Sequence, residues 1–453
     1  MRSHAMRLLG LLMVVESVAA FNPLPLAGTR KPAVPPLRES SSQCTVQMAV
    51  AGGRKVPVTI LTGFLGSGKT TLLNNILKSP DHGMRFAIIE NEFGEVGVDE
   101  KLMVKKVNTD ADIVEVMNGC LCCTVRGDLV QALKRLYTKV DNFDGIIIET
   151  TGLADPAPVA QTFFVDRDIE NMYTLDGICT LVDAKHIMQH LDEEKPEGVE
   201  NESVEQLAFA DRILLNKIDL IEGDDTIKDK EAYLKKVEDR IKAINGGAPI
   251  FRTKQAEINV KNILNLDAFN LDNVLSFDPE FLNTENEHQH DDSVSSCSVK
   301  FKGEMNFNKL ENYISSLIGD VDSAMNLFRY KGVLAVRGMK KKFVFQGVHM
   351  LFSGEFSDDL EWGEDEEREC RFVFIGRDLD KKALIKGFED CCAEEKLRFK
   401  VGDKVKANVG KWVDGIVINQ WDQGNPYRIE LQDGEKTNIW GPVDTDEFVR
   451  ARP

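Results

Sequence analysis

The sequence predicts an α/β protein: a phosphate-loop domain on a mostly parallel sheet, then an α+β unit, then a small all-β barrel of SH3-like or Tudor-like kind. Three observations carry this. Across 56–251, short apolar runs alternate with amphipathic stretches, the pattern of parallel strands buried on both faces. The first run leads into the glycine-rich Gly63-Phe-Leu-Gly-Ser-Gly-Lys-Thr-Thr71. Around 283–292 the composition turns wholly polar, and the segments beyond it change in length and style.

Residues 1–54 do not read as folded domain. Arg2 and Arg7 precede an apolar run over 8–15 and the small residues Ser17-Val-Ala-Ala20, the layout of a secretory signal too short to span a bilayer as a mature helix. The stretch 21–48 is rich in Pro, Ser and basic residues, with Glu39 its one acid, which is transit-peptide composition. Together they resemble the two-part leader of algae with secondary plastids, so a plastid location is expected, with the secretory pathway as the alternative.

The first domain is expected over 55–282. Strands are predicted at 56–62, 86–90, 113–117, 145–149, 177–183, 212–216 and 249–251, with helices at 72–77, 129–137 and 227–244. A polar linker over 283–296 carries His288, His290, Asp291 and Asp292, read first as a solvated connection and second as a compositional metal-attracting tract. The α+β unit, 297–395, has predicted strands at 298–301, 333–336, 343–345, 348–352 and 371–375, and helices at 307–317 and 381–391. The barrel, 396–453, has short alternating strands with glycine turns. It concentrates Trp412, Trp421, Tyr427 and Trp440, read either as its core or as a peptide-binding groove.

A net charge of −18 over 453 residues argues against a general nucleic-acid binder, which needs a basic face. Nine cysteines, three of them clustered, are too few for a disulfide scaffold in a chain of this size. No stable membrane insertion is expected, and the oligomeric state is not legible.

The chemistry sits in five motifs. Strand, glycine-rich turn and helix make Gly63, Gly66, Ser67, Gly68, Lys69, Thr70 and Thr71 a phosphate cradle: backbone N–H groups face inward, Lys69 reaches the β- and γ-phosphates, and Thr70 takes a place on Mg²⁺. Glu149 ends an apolar strand at the position that holds Mg²⁺ or its water, and Gly152 is placed to sense the γ-phosphate. Leu153 follows, with no glutamine to orient an attacking water. Asn216-Lys217-Ile-Asp219, after another buried run, reads guanine: a carboxylate accepts from guanine N1–H and N2–H₂, donors that adenine lacks. Lys69, Thr70 and Glu149 are therefore the expected catalytic set, with GTP and Mg²⁺ as cofactors. Cys120-Leu-Cys122-Cys123 supplies three thiolates of a tetrahedral Zn²⁺ site, with core burial and redox switching as the other readings. A fourth ligand is expected from the loop Glu90-Asn-Glu-Phe-Gly-Glu95, in the position of a GTPase switch, or from water.

In chain order, Gly63-Phe-Leu-Gly-Ser-Gly-Lys-Thr-Thr71, the Glu90-Asn-Glu-Phe-Gly-Glu95 loop, Cys120-Leu-Cys122-Cys123, Glu149-Thr-Thr-Gly-Leu-Ala-Asp-Pro156 and Asn216-Lys217-Ile-Asp219 resemble the CobW-type metallochaperone GTPases, relatives of the urease and hydrogenase nickel-insertion GTPases. The resemblance covers about 56–395 and leaves the barrel outside. It implies a P-loop GTPase followed by a CobW C-terminal-like domain. It further implies GTP hydrolysis coupled to loading or release of zinc or a related metal, Cys120, Cys122 and Cys123 as ligands, and an apo-metalloprotein client as partner. A nucleotide-gated metal or redox sensor, acting through its barrel without transferring metal, is the competing reading.

Overall fold

The computed structural model describes residues 55–79, 83–92, 113–118, 125–193, 195, 201–269, 294–319 and 326–452. The leader, the cysteine cluster, Glu95 and the His288–His290 tract fall outside these.

A seven-stranded sheet carries the first domain. Its strands are β1 (Val56–Thr62), β2 (Phe86–Glu92), β3 (Ile113–Asn118), β4 (Gly145–Glu149), β5 (Tyr173–Asp183), β6 (Arg212–Asn216) and β7 (Ile250–Arg252). The order is β3-β2-β4-β1-β5-β6-β7, and every pairing is parallel. The helices are α1 (Lys69–Lys78), α2 (Val125–Tyr137), α3 (Ala157–Val165), α4 (Arg167–Met172), α5 (Ile187–Leu191), α6 (Glu202–Ala208), α7 (Ile218–Glu222) and α8 (Lys230–Ile244). Alternate side chains of one strand enter different cores. Ile146 and Ile148 belong to the core that holds Leu133 and Phe163, whereas Ile147 belongs to the one that holds Leu72 and Ile76. Burial on both faces is why β4 reads as a continuous apolar run rather than an alternating one.

The second sheet is antiparallel, order β11-β10-β9-β12-β8, built from β8 (Val294–Lys302), β9 (Leu327–Leu334), β10 (Lys341–Val348), β11 (Leu351–Glu361) and β12 (Glu369–Arg377). Helices α9 (Phe307–Gly319) and α10 (Lys381–Asp390) bury Leu310, Ile314, Leu384 and Phe388 against Tyr330, Phe345, Phe372 and Phe374. Phe328, Val348 and Ile375 join the core of the first domain instead, so the second sheet is fastened to it by shared apolar packing.

Three expectations need correction here. The strand predicted after the linker starts at Val294, inside 283–296, because Val294 and Cys297 are buried. The single strand predicted over 348–352 is a hairpin, turned at His349 with φ 52°. The strand predicted at 333–336 begins at Leu327 and ends at Leu334.

The third sheet, order β16-β15-β14-β13-β17, comprises β13 (Lys404–Asn408), β14 (Trp412–Asp422), β15 (Asn425–Leu431), β16 (Asn438–Gly441) and β17 (Val449–Ala451). Its core is Val405, Ala407, Val417, Tyr427, Ile429, Leu431 and Val449, so of the four aromatics only Tyr427 is core. Trp412 lies under Arg450 and Trp440 under Arg428, with the guanidinium carbon 3.7 and 4.0 Å from the ring centre. Trp421 sits against the second domain. A Cβ on Gly338 would lie 2.2 Å from the Trp421 carbonyl oxygen, so this approach requires glycine.

Candidate functional site

Strand order reverses at β1, with β4 on one side and β5 on the other, which opens a crevice at the carboxyl ends of these strands. The loop from Gly63 to Gly68 lies there and leads directly into α1. Gly63, Gly66 and Gly68 have φ of 134°, 76° and 111°, all in the range that favours glycine. A Cβ on Gly63 would sit 2.2 Å from the Leu181 carbonyl oxygen, and one on Gly68 2.5 Å from Asn216 Nδ2. The loop is thus pressed onto β5 and β6, its curvature fixed by contacts that only glycine permits.

Within it, Lys69 is buried, its ammonium donating to the Gly63 carbonyl at 2.7 Å and the Phe64 carbonyl at 3.2 Å. Burial holds its pKa below the ordinary lysine value, against the opposing charge of Glu149. Thr70 Oγ1 donates to Glu149 Oε1 at 2.9 Å, bringing together the two residues expected on Mg²⁺. Thr71 is exposed on the first turn of α1. Ser67 Oγ is buried with no hydrogen-bond partner among the described residues.

After β4, Thr150 returns hydrogen bonds to β1, and the chain passes so close to the glycine loop that a Cβ on Gly152 would lie 2.5 Å from the Leu65 nitrogen. Leu65 and Leu153 are exposed at this point. A residue that sequence reasoning missed holds this passage in place. Gln206 on α6, 1% exposed, donates from Nε2 to the Gly152 carbonyl at 3.0 Å and the Ala154 carbonyl at 3.2 Å. No motif marks it; only the return of α6 across the sheet brings it near.

Asn216, Lys217 and Asp219 lie at the end of β6 and the start of α7, and they do different work. Asn216 is buried: Nδ2 donates to the Ser67 carbonyl at 2.9 Å, and Oδ1 accepts from Ala256 N–H at 2.8 Å and Thr253 Oγ1 at 3.1 Å. It splices the glycine loop to the loop after β7, whose Thr253 and Ala256 were not picked out from sequence. Lys217, at φ 63°, pairs through its ammonium with Asp183 at 2.8 Å. Burial works to raise the Asp183 carboxyl, and hydrogen bonds from Lys217 and His186 outweigh it, leaving it below the ordinary value. Asp219 Oδ1 is buried without a hydrogen-bond partner among the described residues.

Of the expected metal residues, the backbone locates Glu90 alone. It stands in register with Glu149 on β4 and with Val116 on β3. β3 ends at Asn118, paired with Glu92, at the carboxyl edge of the sheet next to β2. Cys120, Cys122, Cys123 and Glu95 lie outside the described residues, among which no cluster of three or more His, Cys, Asp or Glu is arranged to hold a metal. The five described cysteines, Cys179, Cys297, Cys370, Cys391 and Cys392, are free, and burial pushes their thiols up.

A small cleft of about 70 Å³ adjoins the glycine loop, bounded by Phe64, Asp183, His186, His190, Ser203 and Gln206. The His190 ring lies tilted by 33° against Phe64 with ring centres 3.9 Å apart, and burial lowers its pKa. Among the described residues, no helix is long and apolar enough to cross a membrane.

Residues 57–252 match the model of the CobW/HypB/UreG nucleotide-binding domain, and residues 294–392 that of the cobalamin synthesis protein cobW C-terminal domain. Among similar proteins, the zinc chaperone YjiA of Escherichia coli is 37% identical over 74% of this chain and 98% of its own length. The zinc-regulated GTPase metalloprotein activator 1 of Saccharomyces cerevisiae is 31% identical, over 73% of this chain and 82% of its own length. A crystal structure of Zn(II)-bound YjiA GTPase from E. coli superposes with a TM-score of 0.59 at 31% identity, covering 75% of this chain and all of that one. The chain belongs to the CobW family of P-loop GTPases, and its third sheet lies beyond both family models.

Proposed function

We propose that this CobW-family chain is a GTPase metallochaperone that carries zinc as cargo on Cys120, Cys122 and Cys123 and delivers it to a client metalloprotein. The observation that carries the reading is the pairing of Thr70 with Glu149 at 2.9 Å beside the glycine loop, at one sheet edge with Asp219. The names of the relatives, a zinc chaperone and a zinc-regulated GTPase, support the choice of cargo.

The residues present fit a guanine nucleotide with magnesium. The glycine loop is a cradle that side chains would fill, and Ser67 Oγ and Asp219 Oδ1 are buried polar atoms without partners among the described residues. Gly63, Gly66, Ser67 and Gly68 would hold the phosphates through backbone N–H groups and the start of α1. Lys69 would exchange two carbonyl partners for phosphate oxygens, gaining a charged partner for a charge that burial disfavours. Thr70 and Glu149 would hold Mg²⁺, which when bound neutralises charge developing on the transferred phosphoryl group. Asp219 would accept from the guanine edge, while Asn216 maintains the loop that receives it and Lys217 keeps Asp183 in place. Gly152 would meet the γ-phosphate from its place against Leu65. With Leu153 next in the chain, no side chain there orients water, so hydrolysis unaided by a partner is slow. Glu90 and Glu95 would add carboxylates to the thiolate set, which makes zinc affinity depend on the nucleotide.

The test is a chelator competition on the full chain, run apo, with GDP and with a non-hydrolysable GTP analogue. Zinc affinity should change by about tenfold, ~1.4 kcal/mol, between the two nucleotide states, with the reciprocal effect on nucleotide affinity. Replacing the three cysteines by serine should abolish tight zinc binding and leave GDP binding intact. Equal zinc affinity in all three states would reduce the cysteines to a static site. Asp219→Asn should shift preference from guanine to xanthine nucleotides; a wild type that binds ATP as tightly as GTP would overturn the base assignment.

A further inference from the structure

The seven-residue helix α6 and the segment 209–211 after it grip two parts of the molecule at once. On one side is Gln206, bound to the Gly152 and Ala154 carbonyls as described. On the other side, buried Glu205 pairs with Arg377 of β12 at 3.8 Å, and the Phe209 carbonyl accepts from Arg329 Nη1 of β9 at 2.7 Å. Asp211 pairs with Arg329 and with Lys331, the latter at 3.4 Å, while holding Ile178 N–H of β5 at 3.0 Å. The Phe209 ring stacks on Phe328, their centres 5.8 Å apart.

Both ends of the helix are tied by buried or half-buried amides. Asn201 Oδ1 accepts from the Ser203 and Val204 N–H groups, and its Nδ2 donates to the His190 carbonyl. Asn245, 1% exposed, donates to the carbonyls of Leu207 and Ala210 at 2.8 and 2.9 Å. A helix capped at both ends loses several buried hydrogen bonds if it bends or frays, and keeps them if it shifts as a body.

We propose that α6 with residues 209–211 is a lever coupling the loop after β4 to the second domain, with Gln206 as the positioning residue for that loop. The inference rests on the GTPase reading and deepens it. A γ-phosphate that draws in Gly152 moves two carbonyls bonded to one amide, so Gln206 and α6 follow. The displacement reaches β9 and β12 through Glu205–Arg377 and Phe209–Arg329. Coupling of this kind is reciprocal, so a change at β12 alters how well the chain distinguishes GTP from GDP.

A double-mutant cycle on the full chain tests it, titrating mant-GDP and a mant-labelled non-hydrolysable GTP analogue with Mg²⁺. Gln206→Leu should weaken the analogue about tenfold while leaving mant-GDP within about twofold. Arg377→Gln should lower the analogue-to-GDP ratio in the same sense, and the double variant should be no worse than Gln206→Leu alone. Additive losses, or an unchanged ratio in Arg377→Gln, overturn the lever. Equal weakening of both nucleotides by Gln206→Leu reduces that residue to a structural role and also overturns it. A measurement without variants guards against misfolding: hydrogen exchange of wild type should differ between GDP and the analogue at 201–211 and at 371–377. No difference at 371–377 overturns the coupling. Failure to bind mant-GDP at all would refute the GTPase reading instead, which keeps the two failures apart.

Discussion

Asn216→Ala is the substitution whose cost follows most directly from the geometry. In wild type the side chain satisfies three groups, the Ser67 carbonyl, Thr253 Oγ1 and Ala256 N–H, in a region where Asn216 is 2% exposed. Truncation orphans all three, and each buried unsatisfied group costs ~1–3 kcal/mol. Thr253 can rotate its hydroxyl to another acceptor, so the expected loss is about 3 kcal/mol from the two backbone groups and a residual cavity. Because the Ser67 carbonyl belongs to the glycine loop, the loop loosens and GDP affinity should fall by about tenfold or more, even though Asn216 touches no phosphate. The assay needs care over probes. All four tryptophans, Trp362, Trp412, Trp421 and Trp440, lie in the second and third units, so tryptophan fluorescence does not report directly on the first. Urea unfolding should therefore be followed by far-UV circular dichroism and by mant-GDP release. Asn216→Asp provides the control, since it keeps the acceptor for Ala256 but sets a carboxylate against the Ser67 carbonyl, and should impair nucleotide binding at least as much. A midpoint unchanged in Asn216→Ala, with GDP affinity within about twofold of wild type, would refute the splice.

Three further outcomes follow from other parts of the molecule. Gly152→Ala puts a methyl 2.5 Å from the Leu65 backbone nitrogen, so the loop must leave the glycine loop; GTP turnover should fall at least about tenfold with GDP binding little changed, measured by phosphate release and mant-GDP titration. Lys331 is held near pKa 7, first by burial and then by Arg329, against the pull of Asp211, because one carboxylate cannot neutralise two buried cations. Between pH 7 and 10.5 the unfolded chain binds more protons at this group than the folded one, so its contribution to stability rises with pH across that window and is lost as pH falls towards 7. The urea midpoint should climb from about pH 7 to about pH 9 in wild type and less steeply in Lys331→Met; identical slopes would show that Lys331 does not titrate there. Residues 1–54 fused to a fluorescent protein should enter a plastid in an alga with secondary plastids, whereas secretion would reject the two-part leader.

What the sequence by itself determined was the local chemistry and the class of the first domain. Gly63, Gly66 and Gly68 announce a backbone with positive φ, and Lys69-Thr70 behind a β-branched strand announces phosphate. Apolar runs such as Gly145-Ile-Ile-Ile-Glu149 announce strands buried on both faces, because residues in direct sequence neighbourhood set dihedral preference and periodicity. Such signals are short-range, and so they survive without knowledge of the fold. What only the tertiary structure decided involves partners far apart in the chain. Asn216 was read as part of a base-reading motif, yet its side chain bonds Ser67, Thr253 and Ala256. Gln206 carries no motif, because its role depends on where α6 crosses the sheet. The tryptophans of the third unit read first as its core, yet Trp421 lies against Gly338, and Trp412 and Trp440 lie under arginines. Hydrogen-bond partners and packing faces at such separations are fixed by which strands adjoin. That order is set by the combined burial of all seven strands rather than by any one segment.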